Sequence, residues 1–140
     1  MTKYNASKES IDGITFDSKA EAEFYRFLKA LESEGAITSI KVHPKYVLQK
    51  SFVSDIRNER AIIYEADFEI VGFNGNVEVI DIKGMATPEA KLKRKMFLYL
   101  NSGVPLHWIV KNNKHSTCGW IDYFILEKIR KQNKKGRNKQ

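Results

Sequence analysis

Ile62-Ile63-Tyr64-Glu65-Ala66-Asp67-Phe68-Glu69-Ile70-Val71-Gly72-Phe73-Asn74-Gly75-Asn76-Val77-Glu78-Val79-Ile80-Asp81-Ile82-Lys83 holds two alternating apolar runs about a glycine-bearing turn. Over residues 61–71, Ile62, Tyr64, Ala66, Phe68 and Ile70 alternate with Ile63, Glu65, Asp67, Glu69 and Val71, and residues 77–83 alternate likewise. The spacing predicts a β-hairpin. Residues two apart on a strand share a face, so Asp81 and Lys83 project together while Ile80 and Ile82 enter the opposite layer. Asp67 joins them only if its cross-strand partner is odd-numbered. A two-residue Asn74-Gly75 loop would set Asp67 opposite Ile82, with its carboxylate on the wrong face. A three-residue loop of Phe73, Asn74 and Gly75, with Gly75 left-handed in a bulge, pairs Gly72 with Asn76 and Asp67 with Asp81. The second register is the expected one.

Outward from the hairpin the pattern is helical. Before it, Ala20, Phe24, Phe27, Leu28 and Leu31 recur at three- and four-residue steps after a cap at Asp17 or Ser18, and Gly35 supplies a stop. After it, Thr87-Pro88-Glu89 offers a capping hydroxyl, a proline at the first helical position and an acid in the first turn, opening a helix to about residue 101. Leu92, Met96, Phe97 and Leu100 are its expected buried side. Residues 1–13 read as polar and irregular apart from a short leading strand near 11–16. His43-Pro44 reads as a turn into a strand over 46–49, and 51–60 as a loop. Residues 104–110 form a buried strand, and a last helix carries Trp120, Tyr123, Phe124 and Ile129. The expected fold is α/β, a mixed central sheet with flanking helices in the order αβββαβα.

The chain has 140 residues, enough for one domain with a real core, expected over 1–127. No run resembles a signal peptide or a membrane span, and a lone Cys118 allows no internal disulfide, so a cytoplasmic protein is expected. Net charge is +7, and Lys128, Arg130, Lys131, Lys134, Lys135, Arg137 and Lys139 account for all of it, since residues 1–127 balance. Residues 128–140 therefore read as a frayed helix end passing into a basic disordered tail, suited to phosphates or serving only solubility.

Two carboxylates on paired strands stand about 5 Å apart at Cβ and can share a hard cation such as Mg²⁺. A cation there activates water and stabilises charge on a phosphate, and Lys83 can orient or deprotonate that water. Asp-x-Lys alone is more often a solvent-facing strand; Asp67 on the adjacent strand changes that.

These residues carry a resemblance. A helix, a strand with Tyr64-Glu65-Ala66-Asp67-Phe68, then Val77-Glu78-Val79-Ile80-Asp81-Ile82-Lys83-Gly84 and a second helix are similar to the PD-(D/E)XK nuclease superfamily. Phe16-Asp17-Ser18-Lys19-Ala20-Glu21 and Ala90-Lys91-Leu92-Lys93-Arg94-Lys95 resemble more closely a phage domain family of unknown function, regarded as akin to Holliday-junction resolvases and transposon end-cleaving nucleases. Ala66 stands where the superfamily's leading proline would. The resemblance implies a restriction-endonuclease-like core, a Mg²⁺ cofactor that Mn²⁺ could replace, and Asp67, Asp81 and Lys83 as catalytic residues. It implies a phage-encoded, structure-selective DNA endonuclease of the bacterial cytoplasm, cutting branched or junction DNA in recombination, replication or repair, with a homodimer and other phage proteins as partners. It also places an acid on the first helix, matched by Glu21, as a further metal ligand. Ser18-x-x-Glu21 is equally a capping box, and Glu23, Glu65 and Glu69 are alternatives.

DNA contacts are expected from Lys19, from Lys91, Lys93, Arg94 and Lys95 beside the lysine strand, and from Lys131, Lys134, Lys135 and Arg137 in the tail. His107, His115 and Cys118 make a poor zinc set, and Trp108 and Trp120 are expected in the core. Two rivals keep a place: a catalytically inactive nuclease-fold DNA-binding protein, and a basic module that binds RNA or protein through its tail.

Overall fold

The computed structural model describes residues 8–138. Residues 1–7, Lys139 and Gln140 lie outside that range, and with them the start of the polar irregular segment and the end of the basic tail. The leading segment is a small hairpin, β1 (Glu9–Ile11) and β2 (Ile14–Phe16), and α1 (Lys19–Ser33) follows. Ser18 caps α1, its hydroxyl accepting from the Glu21 amide at 3.1 Å, and Gly35 ends it at φ +82°. The buried side of α1 is Ala22, Phe24, Tyr25 and Leu28; Phe27, expected there, is exposed.

β3 (Ile37–Val42), β4 (Lys45–Gln49), β5 (Phe52–Val53), β6 (Asn58–Glu59), β7 (Ile62–Glu65), β8 (Phe68–Gly72) and β9 (Val77–Ile82) lead to α2 (Pro88–Leu100). β10 (Leu106–Lys111), β11 (Trp120–Asp122) and α3 (Tyr123–Asn138) complete the chain. The central sheet is five-stranded in the order β11-β10-β9-β8-β3, parallel only between β9 and β10. That pair is joined through α2, as a parallel crossover requires.

Three departures from the sequence reading matter for the site. The alternating run 61–71 is two strands, not one: β7 pairs with β4 in a separate two-stranded sheet, and β8 pairs with β3 and β9. Ala66 and Asp67 form the break, where the Ala66 amide donates to the Pro44 carbonyl and the Asp67 carbonyl accepts from His43. Alternation persists through such a break because each half has its own buried layer. The strand that enters the central sheet from this side is β3, a segment without clear periodicity, whereas 46–49 is β4 of the side sheet. Residues 128–138, expected as a frayed helix end passing into a disordered tail, continue α3 as helix throughout.

Two apolar clusters sandwich β9. Phe16, Phe24, Tyr25, Leu28, Phe68, Ile70 and Ile80 pack between α1 and the sheet, and Leu48, Tyr64, Ala66, Val79 and Phe97 pack between the side sheet, β9 and α2. β9 is thus covered on both faces, and Asp81 is left 4% exposed among these groups. A carboxylate so buried needs partners.

Candidate functional site

The hairpin has the expected register. Phe68 pairs with Ile80, Glu69 with Val79, Ile70 with Glu78 and Val71 with Val77. Gly72 donates to the Asn76 carbonyl at 2.8 Å, and Gly75 is left-handed at φ +84°. Asp67, one residue before β8, extends this register to Asp81. Its Oδ2 accepts from the Ile82 amide at 2.7 Å, so the carboxylate lies along the end of β9.

Asp81 is held by three groups that the fold gathers. Its Oδ2 accepts from the Tyr64 hydroxyl at 2.7 Å and lies 3.1 Å from Lys83 Nζ. The Tyr64 oxygen in turn accepts from the indole N–H of Trp108 at 2.9 Å, and the lysine ammonium sits 4.8 Å from the centre of that indole ring. Trp108 is in the core, as expected, but it also orients the acid through Tyr64. Burial, then the Asp81 charge, pushes the Tyr64 hydroxyl pKa up, so it stays a donor.

Electrostatic frustration is concentrated at Asp67. Burial first, and then repulsion from Asp81 with a further contribution from Glu21, raise its carboxyl well above the ordinary range. Glu21 is raised as well, by burial and then by Asp17. Its backbone amide serves the Ser18 cap, while its carboxyl oxygen Oε2 is buried with no hydrogen-bond partner. The backbone at Asp17 also favours the Glu21 charge while Oε2 is left without a partner, so capping and ligation are compatible on one carboxylate. Glu23, the alternative, is ion-paired with Lys111, Glu69 accepts from Tyr46 at 2.5 Å, and Glu65 is exposed on β7.

His43 was not singled out from the sequence as anything but a turn residue. Its Nε2 is buried without a hydrogen-bond partner, 4.0 Å from Glu21 Oε2, and single ligand atoms of Glu21, His43 and Asp67 all lie within 4.8 Å of one another. Tyr64 was likewise read only as an inward strand residue. An aromatic hydroxyl at an inward position of an alternating run, which needs a buried partner, was the available signal. His107 pairs with Glu78 across β9 and β10 instead of joining His115 and Cys118, and among the described residues no such zinc set forms.

The basic residues divide. On α2 the inward side is Ala90, Lys93, Arg94, Met96, Phe97 and Leu98, so Met96 and Phe97 are inward as expected, whereas Leu92 and Leu100, also expected to be buried, are exposed. Lys93 reaches a cleft of about 460 Å³ that Lys45, Tyr64 and Lys83 also line, and is tied to Glu89 at 3.1 Å. Arg94 stacks on Phe124 at 4.3 Å and lies 5.6 Å from the Trp108 ring, with Nε buried and unpartnered. It joins α2 to α3 and is not freely presented to a ligand. Lys91 and Lys95 are exposed on α2, and Lys19 is exposed at the start of α1. On α3, Arg130, Lys131 and Lys134 line a groove with Gly84, and Arg130, Lys134 and Arg137 line a second with Lys114 and His115. Lys135 is exposed and lines neither of these two grooves.

Residues 1–117 match the model of a family described as protein of unknown function (DUF1064). The chain belongs to that family. No curated protein and no solved structure matches it. The DUF1064 match takes in Glu21, His43, Asp67, Asp81, Lys83 and all of α2, so every acid and base gathered at the buried site lies within it. It stops short of β11 and α3, and the α3 base stripe lies outside the matched residues.

Proposed function

We propose that the protein is a metal-dependent DNA endonuclease with a restriction-endonuclease-like core of the PD-(D/E)XK kind. The carrying observation is the convergence of Asp67, Asp81, Lys83 and Glu21 at one largely buried point, with Lys83 Nζ 3.1 Å from Asp81 and a Glu21 oxygen within 4.8 Å of Asp67. Three acids so close are unfavourable without a cation, and the Asp67 carboxyl, raised by its burial and then by Asp81 and Glu21, expresses that cost. The unpartnered Glu21 Oε2 fits a cation as its missing partner. Asp67, Asp81 and Glu21 would hold Mg²⁺ or Mn²⁺, which when bound supplies an acidified water and charge stabilisation at the scissile phosphate.

The chain's own residues do the rest. Lys83, lining the cleft and braced by Asp81 and Trp108, presents a positive charge and a proton donor to a phosphate oxygen or the attacking water. Tyr64 fixes the orientation of Asp81, and burial keeps the Tyr64 proton in place. Lys45 and Lys93 line the same cleft and are suited to the flanking phosphates. The α3 stripe of Arg130, Lys131, Lys134 and Arg137 extends positive charge past Gly84, the residue after the lysine. Such contacts position a backbone without reading bases, in keeping with choice by DNA structure.

The test is cleavage of supercoiled, linear and four-way-junction DNA with Mg²⁺ or Mn²⁺, by wild type, Lys83→Ala and Asp81→Asn. The nuclease reading expects metal-dependent products from wild type alone. DNA binding without cleavage by wild type on every substrate would replace it with the inactive DNA-binding reading.

A further inference from the structure

We infer that His43 is a nitrogen ligand of the metal ion held by this site, and that it makes the site select Mn²⁺ over Mg²⁺. The inference rests on the reading that the acids bind a divalent cation and does not require that DNA be cut.

The donor set is incomplete without it. Asp81 Oδ2 is engaged by Tyr64 and Lys83 and Asp67 Oδ2 by the Ile82 amide, which leaves Glu21 Oε2 as a buried carboxylate oxygen with no partner. His43 Nε2 completes a group whose ligand atoms lie within 4.8 Å of one another. Donors on a common ion, with bonds of about 2.0–2.2 Å, stand up to roughly 4.3 Å apart, so a small contraction closes the set.

The His43–Glu21 geometry is that of two ligands and not of a pair. Where this fold sets an imidazole against a carboxylate with nothing to share, as His107 and Glu78, the contact is 2.8 Å. His43 Nε2 and Glu21 Oε2 stop at 4.0 Å, both buried and both without a hydrogen-bond partner. Buried polar atoms left unpaired are costly and call for an explanation. An ion between them satisfies both.

The backbone holds the ring in position. His43 is one of two non-glycine residues with positive φ among the described residues, at +54°. That conformation is unfavourable for a residue with a Cβ and is retained where the surroundings impose it. Here they do, because the His43 amide donates to the Asp67 carbonyl at 2.9 Å and the next carbonyl, of Pro44, accepts from Ala66 at 3.0 Å. The break between β7 and β8 thus clamps His43 directly onto the segment carrying Asp67.

An imidazole among carboxylates changes metal preference. Mg²⁺ favours all-oxygen shells and retains its waters, while Mn²⁺ accepts nitrogen and stands above it for mixed sites. His43→Asn is the informative variant, since asparagine tolerates the left-handed conformation and lacks the imidazole. Metal-free wild type and variant would be titrated calorimetrically with MnCl₂ and with MgCl₂, and the Mn²⁺ forms examined by electron spin-echo envelope modulation. Wild type is expected to show modulation from a directly bound ¹⁴N, absent in His43→Asn, and to lose about tenfold or more in Mn²⁺ affinity on substitution, with Mg²⁺ affinity far less changed. Mn²⁺ bound to wild type without nitrogen modulation overturns the inference, whatever the variant does. An unchanged ratio of Mn²⁺ to Mg²⁺ affinity in a folded variant also overturns it. Nitrogen modulation in a protein that cuts no DNA upholds the ligand and overturns the nuclease reading alone. Failure of wild type to bind either ion overturns both.

Discussion

Asp67 is where stability and function oppose each other. A buried acid with a raised pKa keeps its proton in the folded chain and loses it in the unfolded chain once pH passes about 4. The unfolded state is then the less protonated one, so folding stability should fall as pH rises from about 4 through the raised folded value. Melting curves in EDTA across that window would show it, and added Mn²⁺ should reverse the fall increasingly at higher pH, because the cation replaces the proton. Asp67→Asn keeps an oxygen for the Ile82 amide and removes a carboxyl that must hold its proton, at a cost, to stay buried beside Asp81. It should raise the stability of the metal-free protein by about 1–2 kcal/mol while abolishing metal-induced stabilisation and cleavage. A denaturant titration showing Asp67→Asn less stable than wild type in EDTA would contradict this account. Lys83→Ala should lower the cleavage rate by about 100-fold or more, with metal affinity largely retained. At this scale Asp81 and Lys83 were legible because strand periodicity is local. His43 was not, since its neighbours are Glu21 on α1 and Asp67 beyond β7, which only the folded chain brings to it.

Among the elements, the β8–β9 hairpin sets which face Asp67 occupies. The residues of its turn were sufficient to read the register, because only the three-residue loop with a left-handed glycine pairs odd with odd. Gly75 stands at φ +84° with open space about it, so a side chain there meets conformational strain but no clash. Gly75→Val should cost about 1–2 kcal/mol by thermal or denaturant unfolding. If the register slips instead, cleavage falls much further than the stability loss explains. Other elements were misread for physical reasons. α2 carries Leu92 and Leu100 on exposed surface, while the inward stripe includes Lys93 and Arg94, because the cleft and the aromatic stack of Trp108 and Phe124 accept charged heads over apolar stems. α3 continues through the basic segment because Phe124 and Leu126 anchor its start against the fold, and its Arg130, Lys131, Lys134 and Arg137 follow the helical period.

Across the whole molecule, the five-stranded mixed sheet is flanked by two apolar clusters that bury β9 on both faces, and Lys83 and Tyr64, the partners of Asp81, line the cleft beside α2. The excess positive charge lies in residues 128–140, whose Arg130, Lys131 and Lys134 line a groove with Gly84, the residue after Lys83. Removing residues 128–140 deletes seven bases but leaves Leu126 and Phe124 in place. The truncated protein should remain folded and bind metal as before. Its duplex affinity should drop by about tenfold or more at moderate salt, with a shallower dependence of log affinity on log salt. Equal salt slopes for the two proteins, measured by fluorescence anisotropy, would assign the DNA path elsewhere. Among the described residues no helix is long and apolar enough to cross a membrane. The sequence by itself determined the starts of α1 and α2, the hairpin and the shared face of Asp67, Asp81 and Lys83, because caps, turn length and two-residue periodicity act over a few neighbouring residues. β11 was not legible there, and Trp120, expected on the last helix, lies on that strand. Only the tertiary structure decided that the run 61–71 breaks at Asp67, that β3 and not β4 borders the central sheet, and that His43, Tyr64 and Trp108 close around the acids. Those outcomes depend on which distant layer buries each segment, and burial is a property of the assembled fold.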